Sequence, residues 1–257
     1  MRMPALFVSH GAPDILLHRG KTLALWDELG QTLPTPAAIL VVSAHWTTPN
    51  PLVSSAAHPR TIHDFGGFPR ELYQIHYPAP GSLALAQRVE ALLADASIPI
   101  QRDPAYGLDH GAWVPLTHLY PDANIPVAQL SVQPGRGPEW HFKLGQALAP
   151  LREENILLLA SGAVTHNFAW LSALSQGIYP PAGQFTEWVA EKIALKDWAA
   201  MLNYRLVSQY GAEAHPTDEH FLPLFVALGS MLPDEVATRF TPEFTYGALA
   251  MDAYQFG

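Results

Sequence analysis

The sequence predicts an α/β fold, and two observations carry that prediction. Short continuous apolar runs bounded by Gly, Pro and Ser recur along the chain, as at Ala5–Val8 and Ala38–Val42. Such runs are typical of strands covered on both faces of a largely parallel or mixed sheet. Between them lie amphipathic segments such as Ser82–Ala94, whose apolar residues recur at helical spacing. Strands that alternate with helices define the α/β class.

The remaining elements follow from the same patterns. Further strands are predicted at Pro51–Ser55, Ile98–Gln101, Pro126–Val132 and Phe244–Met251, and another in the run from Asn155 to His166. Further helices are predicted at Thr22–Leu29, Pro138–Leu151 and Phe185–Leu202. Asp109 is expected to cap a helix that runs toward Tyr120, and Thr217 to cap one that contains His220. No repeat, low-complexity tract or linker divides the sequence, so residues 1–257 are predicted to form a single domain.

Composition excludes several classes of function. The chain has 257 residues, 49% of them apolar and 14% charged, which favours a sizeable core over disorder. A formal net charge of −9 argues against a binder of the nucleic-acid backbone. The absence of cysteine excludes thiolate metal sites, disulfides and a Cys nucleophile. The sequence shows neither a secretory signal nor an apolar stretch long enough to span a bilayer, so a soluble cytoplasmic protein without membrane contact is expected.

Three predicted strands end close to a histidine. His10, His45 and His166 each follow an apolar run, and His220 is expected in the first turn of a helix. In open α/β sheets, ligand sites form beyond the carboxyl ends of the strands. A single histidine there is more often structural, but four that converge supply neutral imidazole, the commonest protein metal ligand. The sequence therefore predicts a metal site at this rim, and imidazole suits zinc, iron, copper and nickel alike.

Other residues beside these histidines have two interpretations. His110, which follows Asp109, either steadies a helix start or contacts a substrate oxygen, and His63 beside Asp64 is a weaker case. Trp46 and Trp113 either pack in the core or wall an aromatic substrate. The dinucleotide, phosphate-loop, nucleophile-elbow and His-Glu-x-x-His motifs are all absent from the sequence, which leaves metal-assisted chemistry as the strongest enzymatic candidate.

Several motifs together resemble the 4,5-DOPA extradiol dioxygenase family, of the class III protocatechuate 4,5-dioxygenase B-subunit type. They are SHG at 9–11, SAHW at 43–46, TIHDFGGFP at 61–69, YPAPG at 77–81, DHGAW at 109–113, SGAVTHN at 161–167 and PTDEHFLPL at 216–224. The resemblance runs from about residue 4 to the C-terminus, with the motifs in the same order. It implies a three-layer α/β fold and a mononuclear metal, Fe(II) in the active enzyme and often zinc in purified protein.

The resemblance also implies roles for individual residues. His10, His45 and His220 look like the metal ligands. His166 is similar to the histidine that lies against the metal, as acid/base catalyst or as a fourth ligand to zinc. His110 looks like the substrate-contacting imidazole. The protocatechuate relatives use a glutamate as third ligand where this chain has His220, with Glu219 and Glu243 as nearby candidate carboxylates.

These residues together predict a metal-dependent extradiol dioxygenase that cleaves a catechol such as DOPA with O2. A zinc hydrolase that uses the same imidazoles to acidify a water is one alternative. A metal-binding protein without catalytic activity is the other. Oxygen uptake with a catechol separates the first alternative from the prediction, and turnover by iron-loaded protein separates the second.

Overall fold

A computed structural model of the chain describes residues 2–171 and 177–257. Ten strands are found in these residues. They are β1 (Ala5–Ser9), β2 (Ala38–Thr47), β3 (Leu52–Ser54), β4 (Gln101–Asp103), β5 (Val127–Val132), β6 (Ile156–Gly162), β7 (Ala237–Phe240), β8 (Phe244–Thr245), β9 (Leu249–Ala250) and β10 (Ala253–Phe256).

Nine α-helices connect these strands in the described part of the chain. They are α1 (Lys21–Thr32), α2 (Leu83–Asp95), α3 (His110–Leu119), α4 (Gly137–Leu148), α5 (Pro180–Ala194), α6 (Trp198–Leu202), α7 (Tyr204–Val207), α8 (Gly211–Ala214) and α9 (Leu222–Gly229). Among the described residues, no helix combines the length and apolar character that crossing a bilayer requires. Helix starts follow local chemistry, since Ser82 and Asp109 accept backbone N–H groups at the first turns of α2 and α3.

Eight of the strands form one mixed sheet in the order β4-β3-β5-β2-β6-β1-β10-β7. The centre is parallel, because β6 pairs in parallel with both β1 and β2, and β2 pairs in parallel with β5. Ser9 is opposite Gly162, and Ser43 is opposite Ser161. The carboxyl ends of β1, β2 and β6 therefore lie side by side, and the residues that follow them share one edge.

Alternate residues of the central strands face two separate cores. Phe7 and Leu40 pack with α2, α4, α5 and α9 on one side, whereas Leu6 and Val41 pack with α1 and α3 on the other. All four side chains are fully buried. Burial on both faces explains why these strands are continuous apolar runs rather than alternating ones. The predicted α/β class and the three-layer arrangement are confirmed.

Three element predictions are wrong in their boundaries. The predicted strand Ile98–Gln101 begins only at Gln101, as β4. The segment Phe185–Leu202 is not one helix, because α5 ends at Ala194 and Lys196 adopts a left-handed conformation (φ 53°) before α6. Phe244–Met251 is not one strand but the short β8–β9 hairpin, which turns through Tyr246 and Gly247, both at positive φ. Lys196-Asp197 and Gly247 interrupt the apolar pattern only briefly, so periodicity alone does not reveal either break.

The predicted helix start at Thr217 is also wrong. Residues 215–221 form turns, and α9 begins only at Leu222. The carbonyl oxygen of Asp218 accepts the backbone N–H groups of Phe221 and Leu222. His220 therefore lies in the turn that precedes a buried helix, rather than in a helical first turn.

Candidate metal centre

His10 is the residue that directly follows β1, and its side chain is buried. Its backbone N–H donates to the carbonyl oxygen of Gly162 at 3.0 Å, which continues the pairing of β1 with β6. Its Nδ1 lies 2.9 Å from the hydroxyl oxygen of Ser161, and that hydroxyl donates to the carbonyl of Gly111. Because the Ser161 proton is already engaged, Nδ1 of His10 donates, and its Nε2 carries the free lone pair.

His45 lies near the end of β2, directly beside His10. Its Nδ1 is 3.3 Å from Oδ2 of Asp64, and its Nε2 is 2.9 Å from Nε2 of His10. A carboxylate is only an acceptor, so it favours the tautomer of His45 that carries its proton on Nδ1. The Nε2 lone pairs of the two imidazoles therefore face each other.

His220 approaches the same place from the turn before α9. Its Nδ1 donates to Oε1 of Glu219 at 3.0 Å, and its ring centroid lies 5.5 Å from that of His10 and 4.9 Å from that of His45. Its carbonyl oxygen would lie 2.1 Å from a Cβ at position 162. Only glycine at the end of β6 lets the turn come this close to the sheet edge.

This donor set fits a divalent metal ion. Two Nε2 lone pairs 2.9 Å apart repel each other unless a cation lies between them. Each of the three imidazoles has its Nδ1 next to an oxygen, an arrangement typical of metal-bound histidines, which donate their second ring N–H to such a partner. His10, His45 and His220 would therefore hold the metal through their Nε2 atoms.

Burial keeps these imidazoles neutral, as metal ligation requires. Burial, reinforced by the neighbouring imidazoles, lowers the pKa of His10 and of His220 well below the usual histidine value. The same causes lower the pKa of His45 to about 3, although Asp64 acts in the opposite direction. Burial tends to raise the pKa of Asp64, but contact with His110 and His45 outweighs it and lowers that pKa overall.

His166 and His110 contact different members of this group. The ring of His166 stacks on that of His220, with centroids 3.5 Å apart and planes 8° apart. Burial lowers the pKa of His166, against the opposing charge of Glu219. His110 begins α3, and its ring centroid lies 3.8 Å from that of His45. The structure thus brings together all five histidines that the sequence singled out.

The potential ligand atoms of these residues form two groups. The resemblance instead implies that His10, His45 and His220 bind one metal together. One group is His10, His45 and His110, and the other is His166, Glu219 and His220. Within each group the ligand atoms lie within 4.8 Å of one another. Both groupings place His10 with His45. The ring centroid of His220 lies 5.5 Å from that of His10 and 4.9 Å from that of His45.

The five imidazoles open into a cavity of about 380 Å³. Its wall is mainly apolar and comes from the loop 65–68, the segment after β6 and the β8–β9 hairpin. The apolar side chains that line it are Phe65, Phe68, Phe168, Leu171, Tyr246, Leu249 and Met251. A cavity of this size and character suits a small aromatic molecule.

Trp46 and Trp113 do not line this cavity, contrary to the prediction that they wall the substrate. Trp46 is buried and stacks on Tyr106, with centroids 3.9 Å apart. The indole N–H of Trp113 donates to the carbonyl of Ile62 at 2.9 Å. Both rings pack outside the cavity, whereas the loop residue Phe65 lines it.

Of the other candidate residues, Glu219 and Asp64 contact site imidazoles, whereas Glu243 and His63 do not. Glu219 contacts His220, but the carboxylate of Glu243 accepts the backbone N–H and the hydroxyl of Thr22 at the start of α1. The Nε2 of His63 contacts the carbonyl of Ile75 at 3.0 Å, and His63 does not line the cavity. Asp64 was noted in the sequence only as the neighbour of His63, yet its carboxylate reaches two site imidazoles.

The fold and this histidine cluster are those of an α/β protein with a candidate metal site at the head of an apolar cavity. Residues 19–254 match the family described as the catalytic LigB subunit of aromatic ring-opening dioxygenase, and the chain belongs to this family. The family match favours ring opening over the hydrolase and non-enzymatic alternatives, so the protein is an extradiol ring-cleavage dioxygenase.

Individual relatives are similar in sequence to this chain over nearly its whole length. A protein of Escherichia coli (strain K12) named 4,5-DOPA dioxygenase extradiol is 44% identical over 262 residues, covering all of this chain and 95% of the relative. A protein of the same name from Beta vulgaris is 40% identical over 97% of this chain and 95% of its own length. The crystal structure of uncharacterized protein JW3007 from Escherichia coli K12 superimposes with a TM-score of 0.86 at 40% identity, covering 100% of both chains.

Proposed function

We propose that the protein cleaves the ring of a catechol such as DOPA with O2, at a single Fe(II) ion held by His10, His45 and His220. One observation carries the proposal. Three imidazoles from separate parts of the chain meet at the head of an apolar cavity, with ring centroids 4.9 to 5.5 Å apart, and each has an oxygen beside its Nδ1. The two relatives named 4,5-DOPA dioxygenase extradiol support the substrate class.

The choice of metal follows from the reaction. Iron bound here would supply the electron transfer between the aromatic ring and dioxygen, which zinc, having no redox chemistry, does not supply. Three neutral imidazoles bind either ion. We therefore propose Fe(II) as the working metal, with zinc as an inactive occupant of the same ligands.

Two further imidazoles are placed to move the protons of the substrate. A catechol loses its hydroxyl protons as it binds a metal, and a neutral imidazole within reach accepts such a proton. His166 on the His220 side and His110 on the His45 side both face the cavity. We assign His166 as the acid/base residue because it stacks on His220 and faces the cavity, and because burial lowers its pKa, so that it is neutral before the substrate binds. We assign His110 to hold a substrate oxygen.

The cavity wall orients the ring. Phe65 packs edge-on against His110, with centroids 5.6 Å apart, and Phe168 packs edge-on against His166 at 4.9 Å. These aromatic faces bracket the space next to the imidazoles. A planar substrate between them has its hydroxyl groups directed at the histidine cluster and its substituent directed at the cavity mouth.

The direct test is oxygen uptake by protein loaded with Fe(II) under anaerobic conditions and then mixed with DOPA and air-saturated buffer. We expect stoichiometric O2 consumption and a yellow ring-opened product, and zinc-loaded protein is expected to show neither. Catechol conversion without O2 uptake would support the hydrolase alternative and contradict the proposal.

A further inference from the structure

One carboxylate, that of Asp64, contacts two imidazoles of the site. Its Oδ2 is 3.3 Å from Nδ1 of His45, and its Oδ1 is 3.0 Å from Nδ1 of His110. Oδ1 also accepts the backbone N–H of His110 at 2.9 Å. The side chain is 24% exposed and lines the cavity, so it is held at the site rather than free in solvent.

The ring of His110 depends on this carboxylate. Its Nδ1 is buried, and no described residue makes a well-aligned hydrogen bond to it in this arrangement. The oxygen of Asp64 at 3.0 Å lies off the direction of the ring N–H but within reach of a small rotation. A buried donor without a partner is unfavourable, so a small rotation that aligns the ring with Asp64 is favoured.

We propose that Asp64 is a positioning residue that fixes the tautomer and the ring orientation of His45 and His110 together, with one oxygen for each imidazole. This inference rests on the proposed function, in which His45 binds the metal and His110 holds a substrate oxygen. With the proton of each ring held on Nδ1 next to Asp64, Nε2 is the free nitrogen of both rings, and that of His110 accepts the hydrogen bond of a substrate hydroxyl.

The other oxygen partners in the site each serve a single imidazole. Ser161 contacts Nδ1 of His10, and Glu219 contacts Nδ1 of His220. Neither has a second site histidine among its hydrogen-bond partners in the described chain. Asp64 therefore differs from them, because it links a proposed metal ligand to the imidazole on the substrate side.

Replacing Asp64 with asparagine separates the two contacts. Two donors of His110, the backbone N–H and the ring N–H, converge on the Oδ1 position, so the single amide oxygen is expected to stay there. The amide NH2 then faces Nδ1 of His45. Two donors that face each other repel, which favours the other tautomer of His45 and places a proton on the Nε2 that binds the metal.

The experiment compares Asp64→Asn, Asp64→Ala and Glu219→Gln with the wild-type chain. Co(II) affinity is measured by competition with a chromophoric chelator, and KM for DOPA is measured at saturating Fe(II). We expect Asp64→Asn to lose about 10–100-fold in Co(II) affinity, as for other partners of ligating histidines, with little change in KM. Asp64→Ala is expected to lose Co(II) affinity and also to raise KM about tenfold, because His110 is no longer held. Glu219→Gln is expected to weaken Co(II) binding alone.

A matched control is Asp27→Asn. Asp27 contacts Nδ1 of His118 at 2.8 Å in an exposed pair, and neither residue lines the cavity. This variant removes the same charge next to a histidine and is expected to leave both Co(II) affinity and KM unchanged.

The outcomes separate this inference from the proposed function. If both Asp64 variants keep wild-type Co(II) affinity and KM while His45→Ala loses the metal, Asp64 is not a positioning residue and the proposed function still stands. If His45→Ala itself retains the metal, the ligand assignment fails first. An Asp64→Asn variant that raises KM but binds Co(II) normally would also overturn the inference.

Discussion

The imidazoles of His166 and His220 stack face to face, with centroids 3.5 Å apart and planes within 8° of parallel. The two residues reach this position from different elements, His166 from the segment after β6 and His220 from the turn before α9. Backbone contacts fix both approaches, since the N–H of His166 donates to Ala214 and the carbonyl of His220 accepts from Ala163. A ring proposed for proton transfer is therefore in direct contact with a ring proposed for metal binding.

This contact leads to different expectations for the two residues. His220→Ala is expected to lose the metal, because it removes a ligand. His166→Ala is expected to retain the metal but to lose about 10²–10⁴-fold in kcat, the usual contribution of a positioned acid or base. Metal content of dialysed protein and steady-state kinetics check both. A His166→Ala variant that loses metal as fully as His220→Ala would show that His166 is a ligand rather than an acid/base residue.

The cavity wall gives a second expectation. Phe65 lines the cavity and packs against His110, whereas Trp46 is buried outside the cavity against Tyr106. Phe65→Ala is expected to raise KM for DOPA about tenfold, roughly the effect of losing one aromatic contact and part of its buried area. Trp46→Phe, which keeps an aromatic ring in place, is expected to leave KM unchanged. A larger rise in KM for Trp46→Phe than for Phe65→Ala would show that Trp46 contacts the substrate.

A third expectation concerns stability and pH, through a histidine outside the site. His141 is fully buried, its Nδ1 donates to the carbonyl of Gly137, and its Nε2 accepts the backbone N–H of Gln133. A proton added to Nε2 would face that N–H, so the ring must stay neutral. Burial accordingly lowers its pKa to about 4, although the contact with Gly137 acts in the other direction.

Because this folded-state pKa lies below the unfolded value, the unfolded chain binds the proton first as pH falls. The stabilisation is complete above about pH 6.5 and is lost progressively toward pH 4, by roughly 3 kcal/mol in total. Urea unfolding of the wild-type chain and His141→Gln between pH 7.5 and 4.5 checks this. The variant is expected to have a shallower pH dependence, and identical slopes would refute the assignment.

A fourth expectation concerns the buried guanidinium of Arg152. It donates to the carbonyl oxygens of Met3, Ser230 and Phe256 and pairs with Glu235 at 2.7 Å. It thus joins both ends of the chain to the loop after α9. Arg152→Ala leaves these acceptors buried without donors and is expected to lower the free energy of unfolding by about 3–5 kcal/mol.

The control for Arg152 is an exposed pair of the same type. Arg88 contacts Glu154 at 2.8 Å with both side chains well exposed. Arg88→Ala is expected to change stability by less than about 1 kcal/mol. Equal losses in the free energy of unfolding of the two variants, measured with urea, would show that the burial of Arg152 adds nothing to stability.

Much of this architecture was predictable from the sequence. Buried strands are recognisable as continuous apolar runs, and the parallel pairing of β1, β2 and β6 brings the residues after them to one edge, as expected for His10, His45 and His166. The caps at Ser82 and Asp109 were predictable because their side chains bond the backbone of their own first turns.

Other features depend on contacts that periodicity does not encode. Adjacent residues of a strand point to opposite faces, so Trp46 must turn away from the site that His45 faces, although the two are neighbours in sequence. Asp64 and Phe65 lie in a loop without regular structure, and only the tertiary fold brings them against His110. The break at Lys196 requires a left-handed residue that the local sequence does not demand.

The most direct test of the account is the anomalous diffraction signal of iron in crystals of the protein loaded with Fe(II) without oxygen. We predict one strong peak about 2 Å from the Nε2 atoms of His10, His45 and His220, a normal length for metal–imidazole bonds. A peak bound instead by His10, His45 and His110, or by His166 and Glu219 with His220, would contradict the proposed ligand set.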